Sequence, residues 1–272
     1  MPEEYTPTTL LALDTNERSL DGVVVAASFT RAVTVPFPEI ALVQQRHVAR
    51  RRRLSRKKAR DRRVGRRLLN REGRREHHRV QSRLHILSKR LVEVACRNRA
   101  ALALEDFSRL AKLRPRRNPA GGRRRRAGDS SPRAPKLRRR LSSWPRAELH
   151  RQLAYKAAAK GVPVIWVDPF RTSVICPRGG AYAGPRSRIG PTFVCPACHW
   201  RLDRQVNAGA NVGKIALRET AELGGLVLDL DALSKDAVRP RYPFQELGRA
   251  RAERTDGEGR VARSRPARLL ST

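Results

Sequence analysis

Carboxylates stand near the ends of three segments that lie far apart in the sequence. Asp14 follows the short apolar run of residues 10–13, Glu105 ends the apolar stretch "RAALALE", and a third acidic position lies within residues 203–205. Two-metal nucleases hold their Mg²⁺ ions between carboxylates from different segments, because hard cations prefer oxygen ligands. This pattern favours a Mg²⁺ site, although an Asp after a strand is also what a simple turn would contain.

The cysteines point to a second kind of metal. Cys176 and the pair Cys195 and Cys198 are separated in the sequence as the two halves of a zinc ribbon are. The first half should read Cys-x-x-Cys, but "CPRGG" has Gly179 at the second cysteine position. His199 offers a nitrogen, although ligands on adjacent residues strain a tetrahedral site. The spacing therefore predicts an incomplete Zn²⁺ site with three thiol ligands.

The charge of the chain indicates a polyanionic partner. Sixty Lys and Arg residues stand against 25 Asp and Glu, a formal net charge of +35. Such a surplus would repel itself in a compact fold unless a polyanion such as nucleic acid neutralised it. No apolar run approaches the ~18 residues of a membrane span, and the start "MPEEYTPTTL" is too polar for a signal peptide. We expect a cytoplasmic protein that is associated with nucleic acid rather than with a membrane.

The first half of the chain should supply a hairpin of strands and a hairpin of helices. Residues 9–28 are typical of strand, turn and strand, with "TNERSLDG" as the turn. Residues 40–98 predict two helices: 11 of the 18 residues 46–63 are Lys or Arg, and apolar residues recur at helical spacing from Val80 to Val94. Cys96 falls near that apolar face and fits a core position. The predicted phosphate contacts are Arg50, Arg51, Arg52, Arg53, Arg56, Lys57, Lys58 and Arg60.

The second half alternates helix and strand, which indicates an α/β fold. Residues 99–106 predict a buried strand, 144–161 a helix and 162–169 another buried strand. A further helix is expected from about residue 206 to residue 223. Residues 111–140 predict a flexible basic linker, and the chain from about residue 224 to the end predicts a disordered tail.

In this order, the segments "ALDTNERSLDGVVV", "ALALEDF", "RTSVICPRGG" and "FVCPACHWRLDRQVNAGANV" resemble the C-terminal half of the OrfB/TnpB proteins. Those are transposon-encoded RNA-guided DNA endonucleases of bacterial and archaeal insertion sequences, related to the type V CRISPR effectors. The resemblance implies an RNase H-like (RuvC-like) α/β fold with a mixed sheet and flanking helices. The domains it implies are the first strands at 1–39, a basic helical hairpin at 40–98, the core at 99–171, a zinc-ribbon insertion at 172–203, a closing helix at 204–223 and the tail at 224–272.

The resemblance also implies roles for individual residues. Asp14 and Glu105 match the first two catalytic, Mg²⁺-binding carboxylates of the family, and Thr172 and Ser173 match the Thr-Ser pair before the first zinc cysteine. The basic hairpin matches the region that contacts the duplex of guide RNA and target DNA, which a protein reads through its backbone. Guide-type RNA and DNA are therefore the expected partners.

This chain departs from the family pattern in three places. The closing motif Asp-Arg-Asp-x-Asn-Ala-Ala reads "DRQVNAG", so the third metal-binding Asp is replaced by Gln205. Gly179 replaces a zinc cysteine, and the family's N-terminal half does not precede Asp14. Asp203 lies two residues from Gln205, a separation that turns it roughly 200° away on a helix or moves it about 6–7 Å along an extended segment.

Two functions follow as hypotheses. In the first, the protein binds guide RNA and target DNA, but its nuclease site is impaired by Gln205. In the second, it is an active Mg²⁺-dependent RNA-guided endonuclease that uses Asp14, Glu105 and Asp203. A basic RNA-binding protein without nuclease ancestry would explain the charge but not the ordered acids and cysteines.

Overall fold

A mixed sheet with helices on both faces forms the body of the protein. The computed structural model describes residues 5–58, 62–106, 145–184, 187–236 and 242–243. The strands are β1 (Thr9–Thr15), β2 (Ser19–Ala26), β3 (Phe29–Pro36), β4 (Ala100–Glu105), β5 (Val164–Val167), β6 (Arg188–Ile189), β7 (Thr192–Val194), β8 (Arg201–Asp203) and β9 (Tyr242–Pro243). The helices are α1 (Pro38–Lys58), α2 (Arg62–Arg97), α3 (Arg146–Ala158), α4 (Arg204–Glu219) and α5 (Leu230–Asp236), and a 3₁₀ turn spans Ala221–Leu223.

The large sheet has the strand order β5-β4-β1-β2-β3-β9 within the described residues. Strands β1, β2 and β3 are antiparallel neighbours joined by short turns, whereas β4 runs parallel to β1 and β5 parallel to β4. Parallel neighbours need long crossover connections. Helices α1 and α2 form the crossover from β3 to β4. As a result, the carboxyl ends of β1, β4 and β5 meet at one edge of the sheet.

The residue pattern along β1 and β4 explains why the two faces carry different helices. Leu11 and Leu13 lie in one core cluster with Leu102 and Leu104, beneath α2 and α3. The alternate positions belong to the opposite cluster, beneath α4, and three of them are alanines: Leu10, Ala12, Ala101 and Ala103. Small side chains on this face allow α4 to approach the sheet closely.

Two glycines mark the closest approach of helix and sheet. A Cβ atom on Gly209 of α4 would lie 2.3 Å from the Cα atom of Gly22 in β2. A Cβ atom on Gly22 would lie 1.9 Å from the carbonyl oxygen of Ala12. Side chains at these two positions would force the elements apart, so glycine is required by space rather than by backbone conformation.

The helical hairpin forms as the sequence predicts, and a buried contact between a histidine and a glutamate joins its two arms. The predicted apolar face of α2 is buried at Val80, Leu84, Leu87, Leu91 and Val94. Between the arms, the Nδ1 atom of His47 lies 2.7 Å from the Oε1 atom of Glu72, and both side chains are buried. The exposed side chains of the first arm include Arg46, Arg50, Arg52, Arg53 and Arg56, so the hairpin depends on its inner face for stability.

The structure corrects three predictions of secondary structure. The strand predicted as buried at 162–169 is β5 at the edge of the described sheet, with Trp166 39 % exposed. The predicted turn "TNERSLDG" is shorter, because residues from Ser19 onward already belong to β2. The closing helix ends at Glu219, before the 3₁₀ turn.

The prediction of a disordered tail from residue 224 is wrong as far as Asp236. Helix α5 packs on β3, and Leu233 is fully buried in the core cluster beneath α4. The backbone N–H of Asp229 also donates to the Oγ1 atom of Thr30 at 3.0 Å. Spaced leucines in residues 226–233 supply the apolar surface that orders this segment. The predicted linker at 111–140 and the tail beyond residue 243 lie outside the described residues.

Candidate functional site

Asp14 and Glu105 lie side by side at the carboxyl ends of β1 and β4. The parallel register pairs Leu13 with Leu104, so the next residue on each strand is an acid on the same face as α4. Glu105 is 5 % exposed, and its Oε1 atom accepts a hydrogen bond from the Thr172 hydroxyl at 2.6 Å. The structure thus brings together two predicted site residues that are 91 positions apart in the sequence.

Ionisation of both Asp14 and Glu105 is electrostatically unfavourable in this buried place. Burial, followed by the negative charges of Glu105 and Asp21, raises the pKa of Asp14 well above its ordinary value. Burial also raises the pKa of Glu105, against the opposing effect of the Thr172 hydroxyl. Two acids this close in a buried place cannot both ionise without a neighbouring cation. The arrangement therefore favours either a shared proton or a bound cation.

Arg146, at the start of α3, supplies one such positive charge. Burial lowers the pKa of its guanidinium group, whereas the charges of Asp14 and Glu105 raise it. The guanidinium thus interacts with both carboxylates and offsets part of their charge. Sequence reasoning missed this residue, because nothing in "WPRAELH" distinguishes Arg146 from the other arginines of the chain.

A third buried acid, Asp21, was also missed. It lies directly across from Asp14 in the antiparallel register of β1 and β2, and it is 1 % exposed. Its carboxylate accepts hydrogen bonds from Ser19 and Thr34 at 2.5 Å and from Asn16 at 3.1 Å. These donors satisfy the carboxylate, which makes Asp21 a structural neighbour of the pair.

Gln205 occupies the first turn of α4. Helix α4 runs antiparallel to β1 and parallel to β2: Gly209 lies against Gly22 and the Asp21 carbonyl, and Gly213, one turn later, against Ala12 and Val23. Residues four apart share one face of a helix, and Gln205 precedes Gly209 by four. Gln205 therefore lies towards the end of β1 that carries Asp14, and its side chain is half-buried.

Asp203 has a different task, since it caps α4. Its Oδ1 atom accepts hydrogen bonds from the backbone N–H groups of Gln205 at 2.8 Å and Val206 at 3.2 Å. An Asp cap of this kind stabilises a helix by roughly 1 kcal/mol. Among the described residues, the three cysteines are the sole set of three or more Asp, Glu, His or Cys ligand atoms within 4.8 Å of one another. Asp203 is thus not gathered with Asp14 and Glu105.

The three predicted cysteine ligands do converge, in the segment 172–203, which we call the cysteine lobe. The sulfur atoms of Cys176, Cys195 and Cys198 lie within 4.8 Å of one another, and those of Cys176 and Cys198 are 3.6 Å apart. Burial raises the pKa of the Cys176 thiol. Burial acts in the same sense on Cys195, but backbone N–H groups outweigh it and lower the pKa of that thiol. Three converging sulfurs suit a thiophilic cation such as Zn²⁺.

The two turns that carry the cysteines have the same backbone geometry. In the first, the N–H of Gly180 donates to the carbonyl of Cys176 at 2.8 Å; in the second, the N–H of His199 donates to the carbonyl of Cys195 at 3.0 Å. Gly180 and His199 also share a left-handed backbone, with φ of 69° and 54°. Gly179 therefore occupies the place that corresponds to Cys198. A Cβ atom at Gly179 would meet nothing within 4 Å.

Two buried asparagines of α4 connect the carboxylate pair to the cysteine lobe. The Asn211 side chain donates to the carbonyls of Thr172 and Ile175, each at 2.8 Å, and Asn207 donates to the Ile175 carbonyl at 3.2 Å. The loop held in this way carries Thr172, which binds Glu105, and leads to Cys176. Asn207 stood in the sequence motif, but the sequence did not show what it holds.

The predicted nucleic-acid contacts on α1 divide into two groups. Arg50 lies 3.7 Å from Glu72, and Arg51 forms an ion pair with Glu76, so both also connect the two arms of the hairpin. The side chains of Arg52, Arg53 and Arg56 face solvent. Those of Lys57, Lys58 and Arg60 lie outside the described residues.

Comparisons with known proteins agree with this architecture. Residues 147–212, which include Thr172, the three clustered cysteines and Gln205, match the family described as Cas12f1-like, TNB domain. A TnpB-like protein of Methanocaldococcus jannaschii is 28 % identical over 140 residues, which cover 52 % of this chain and 44 % of the relative. The chain is thus similar to TnpB-like and Cas12f1-like proteins. Both similarities support the resemblance to the OrfB/TnpB proteins that the sequence motifs indicate.

Two solved structures share the fold of this chain. A Cas12f1 complex with sgRNA and target DNA matches with a TM-score of 0.53 and 16 % identity, over 76 % of this chain and 50 % of Cas12f1. A CRISPR-Cas12f ternary complex matches with a TM-score of 0.56 and 17 % identity, over 76 % of this chain and 38 % of the other. The chain thus spans half or less of the length of these relatives. No helix among the described residues is long and apolar enough to cross a membrane.

Proposed function

We propose that this chain binds a guide-type RNA and target DNA through a RuvC-like, RNase H-like domain whose nuclease site is impaired. Similarity to the TnpB-like and Cas12f1-like proteins supports the nucleic-acid partners, as does the Cas12f1 neighbour, which was solved with sgRNA and target DNA. One observation carries the impairment. The first turn of α4, which lies towards the end of β1 that carries Asp14, has a neutral Gln205 where the family resemblance implies a third Asp, while Asp203 caps the helix.

The residues present fit one divalent cation better than two. Asp14 and Glu105 offer the hard oxygen ligands that Mg²⁺ prefers, and a cation between them would offset the burial and repulsion that raise their pKa values. When bound, Mg²⁺ would activate a water molecule and stabilise the leaving oxygen. The Gln205 amide brings an oxygen but no charge, and Arg146 already offsets part of the charge of the pair. Both effects lower the affinity for the metal.

The cysteine lobe fits the zinc-ribbon role that the family resemblance implies, with one ligand fewer. Cys176, Cys195 and Cys198 would hold Zn²⁺ through sulfur, and the fourth position would be left to solvent because Gly179 has no side chain. The ion would support the loop that presents Thr172 to Glu105. The exposed arginines of α1 would contact the guide–target duplex through its phosphates.

The experiment that tests the impairment restores the missing carboxylate. Gln205→Asp should raise the affinity for Mn²⁺, used as a Mg²⁺ probe, and should create Mg²⁺-dependent cleavage of DNA where the parent shows none. The double variant Asp14→Asn/Gln205→Asp is the matched control and should lose both gains. Cleavage by the unaltered protein that Asp14→Ala abolishes would overturn the proposal.

The intact pairing of Asp14 and Glu105 favours one alternative, an active endonuclease that recruits Asp203 as its third ligand. This alternative requires Asp203 to leave its capping position. Asp203→Ser keeps a capping side chain but removes the carboxylate. If the parent cleaves DNA and Asp203→Ser cleaves it equally well, Asp203 is not a ligand and this alternative is wrong.

A further inference from the structure

Two exposed aromatic rings and an arginine lie on the segment around Thr172, and none of them belongs to the hydrophobic core. Phe170 is 67 % exposed and Tyr182 is 55 % exposed, among the highest values for large apolar side chains in the described residues. The guanidinium carbon of Arg171 lies 4.6 Å from the centroid of the Phe170 ring and 4.7 Å from that of Tyr182. The three side chains thus form one stacked group, which we call the aromatic platform.

The platform is adjacent to the candidate nuclease site. Arg171 immediately precedes Thr172, and their Cα atoms are therefore about 3.8 Å apart. The Thr172 hydroxyl in turn lies 2.6 Å from the Glu105 carboxylate. The segment that carries Phe170 and Arg171 is therefore directly connected to the residue that binds Glu105.

Backbone hydrogen bonds fix the position of Tyr182, and Arg171 has a strained backbone conformation. Arg171 has a φ of 64°, a left-handed conformation that residues other than glycine rarely adopt. Tyr182 bridges to Ile175, and on either side of it Ala181 accepts from the Cys176 N–H at 3.0 Å while Ala183 donates to the Val174 carbonyl at 2.9 Å. Strained residues that the surrounding structure fixes in place tend to cluster at ligand sites.

We propose that Phe170, Arg171 and Tyr182 form a stacking surface for the bases of an unpaired nucleic-acid strand beside the carboxylate pair. Aromatic rings stack on any base, and an arginine adds both a planar surface and a charge for phosphate. Bases of a duplex are already stacked and present no open face, so the surface selects single strands. The inference rests on the proposed nucleic-acid function and adds the strand type and the residues that bind it.

Tyr155 on α3 provides a matched control. It is 44 % exposed and also lies near cations, with Arg151 and Lys156 at 5.7 and 5.8 Å from its ring centroid. However, its hydroxyl lies 3.4 Å from the Nδ1 atom of His85 on the helical hairpin, away from the carboxylates. Removing this ring tests the loss of an exposed aromatic residue in general.

The test is a fluorescence anisotropy titration of labelled oligo-dT of ~20 nucleotides and of the matched duplex, longer than the ~4–16 nucleotides that one such surface covers. EDTA removes any contribution from cleavage, and about 300 mM NaCl screens non-specific phosphate binding. Phe170→Ala/Tyr182→Ala should weaken single-strand binding about tenfold or more, in line with the effect of removing single stacking rings in other proteins. The affinity of this double variant for the duplex should change less than about twofold. In Tyr155→Ala, the affinities for the single strand and for the duplex should each change less than about twofold.

The possible results distinguish a failure of the aromatic platform from a failure of the proposed nucleic-acid function. Equal single-strand affinity in the parent and in Phe170→Ala/Tyr182→Ala, or an equal loss for strand and duplex, overturns the platform while leaving nucleic-acid binding intact. If the parent itself binds neither probe at this salt concentration, the proposed function fails and the platform fails with it. Phe170→Trp, which keeps a stacking ring, should retain the parent's single-strand affinity.

Discussion

Gly179→Cys should convert the three-thiol cluster into a complete four-thiolate metal site. The two cysteine turns share the same hydrogen bonds and the same left-handed residue after the fourth position, so a side chain at Gly179 should point as that of Cys198 does. A Cβ atom there meets nothing within 4 Å, so the new side chain displaces nothing. Loss of glycine in a compatible conformation also stabilises the fold by about 0.4–1 kcal/mol through the unfolded state.

The size of the effect follows from the energy of a complete site. Four-ligand structural zinc sites bind with about 10–16 kcal/mol at neutral pH, or roughly 2.5–4 kcal/mol per ligand. Each 1.4 kcal/mol is about a factor of ten, so the fourth thiolate would add about 60- to 700-fold. A water molecule at the open position already recovers part of this. We therefore expect at least about a 50-fold gain in zinc affinity for Gly179→Cys.

Competition with a chromophoric chelator measures this affinity, and Co²⁺ absorption reports the number of thiolates. Gly73→Cys is the matched control, because Gly73 on α2 is also open within 4 Å but lies in the helical hairpin. The reasoning fails if Gly179→Cys binds zinc within about threefold of the parent, or if Gly73→Cys gains as much. A Co²⁺ spectrum unchanged between Gly179→Cys and the parent would show that the new sulfur does not reach the metal.

Three further predictions follow from the charges of the described residues. Without metal, Asp14→Asn should raise the melting temperature by roughly 2–4 °C, about 1 kcal/mol, because it removes repulsion in the buried pair; a lower melting temperature in EDTA would contradict this. Burial lowers the pKa of His150 from 6.5 to about 4, so the folded state should lose stability as the pH falls through this range. The free energy of unfolding of the parent should fall relative to His150→Phe, which keeps a ring against Trp166, by at most about 3 kcal/mol; a constant difference between pH 6.5 and 4 would refute it. Alanine at three exposed α1 positions should weaken RNA binding and lower the slope of log affinity against log salt by about 2–3, whereas Lys160→Ala/Arg218→Ala, at two basic residues that are not part of the hairpin, should change it less. The three are Arg52, Arg53 and Arg56.

The adjacency of Asp14 and Glu105 could be predicted because it depends on pattern alone. An apolar run that ends in an acid indicates a buried strand with a carboxylate at its end. Two such strands linked by a long helical crossover become parallel neighbours, and parallel neighbours present their carboxyl ends together. The roles of the two carboxylates in metal binding stay predictions.

Asp21 and Arg146 could not be found in this way, because the signals that surround them have other common meanings. Asp-Gly after a polar stretch favours a turn, whereas hydrogen bonds from Asn16, Ser19 and Thr34 make a buried strand position tolerable for Asp21. Arg146 is one basic residue among many in a chain with 60 of them. Its importance comes from a tertiary neighbour that sequence spacing does not encode.

Asp203 is the opposite case, because the sequence does contain a local signal for its role as a helix cap. Asp immediately before a helix is a preferred cap, and its two backbone hydrogen bonds satisfy donors that the first turn leaves open. Its separation from Gln205, on which the sequence-based prediction rests, says less about the role of Asp203 than this cap does. A residue with a structural task at the helix start is a poor substitute ligand, since moving it to a metal would expose those donors.

The two positions that depart from the family pattern are both close in sequence to the same set of hydrogen bonds. Gln205 and Gly179 lie on either side of the hydrogen bonds by which Asn207 and Asn211 hold the loop between Glu105 and the cysteine lobe. These bonds are made by amides and backbone carbonyls, so they do not depend on either metal. The loop geometry should therefore persist when the ligands are absent, which is why one substitution at each position is expected to restore binding. If Asn211→Ala abolished the gain from both Gln205→Asp and Gly179→Cys, the two metal positions would share this one support.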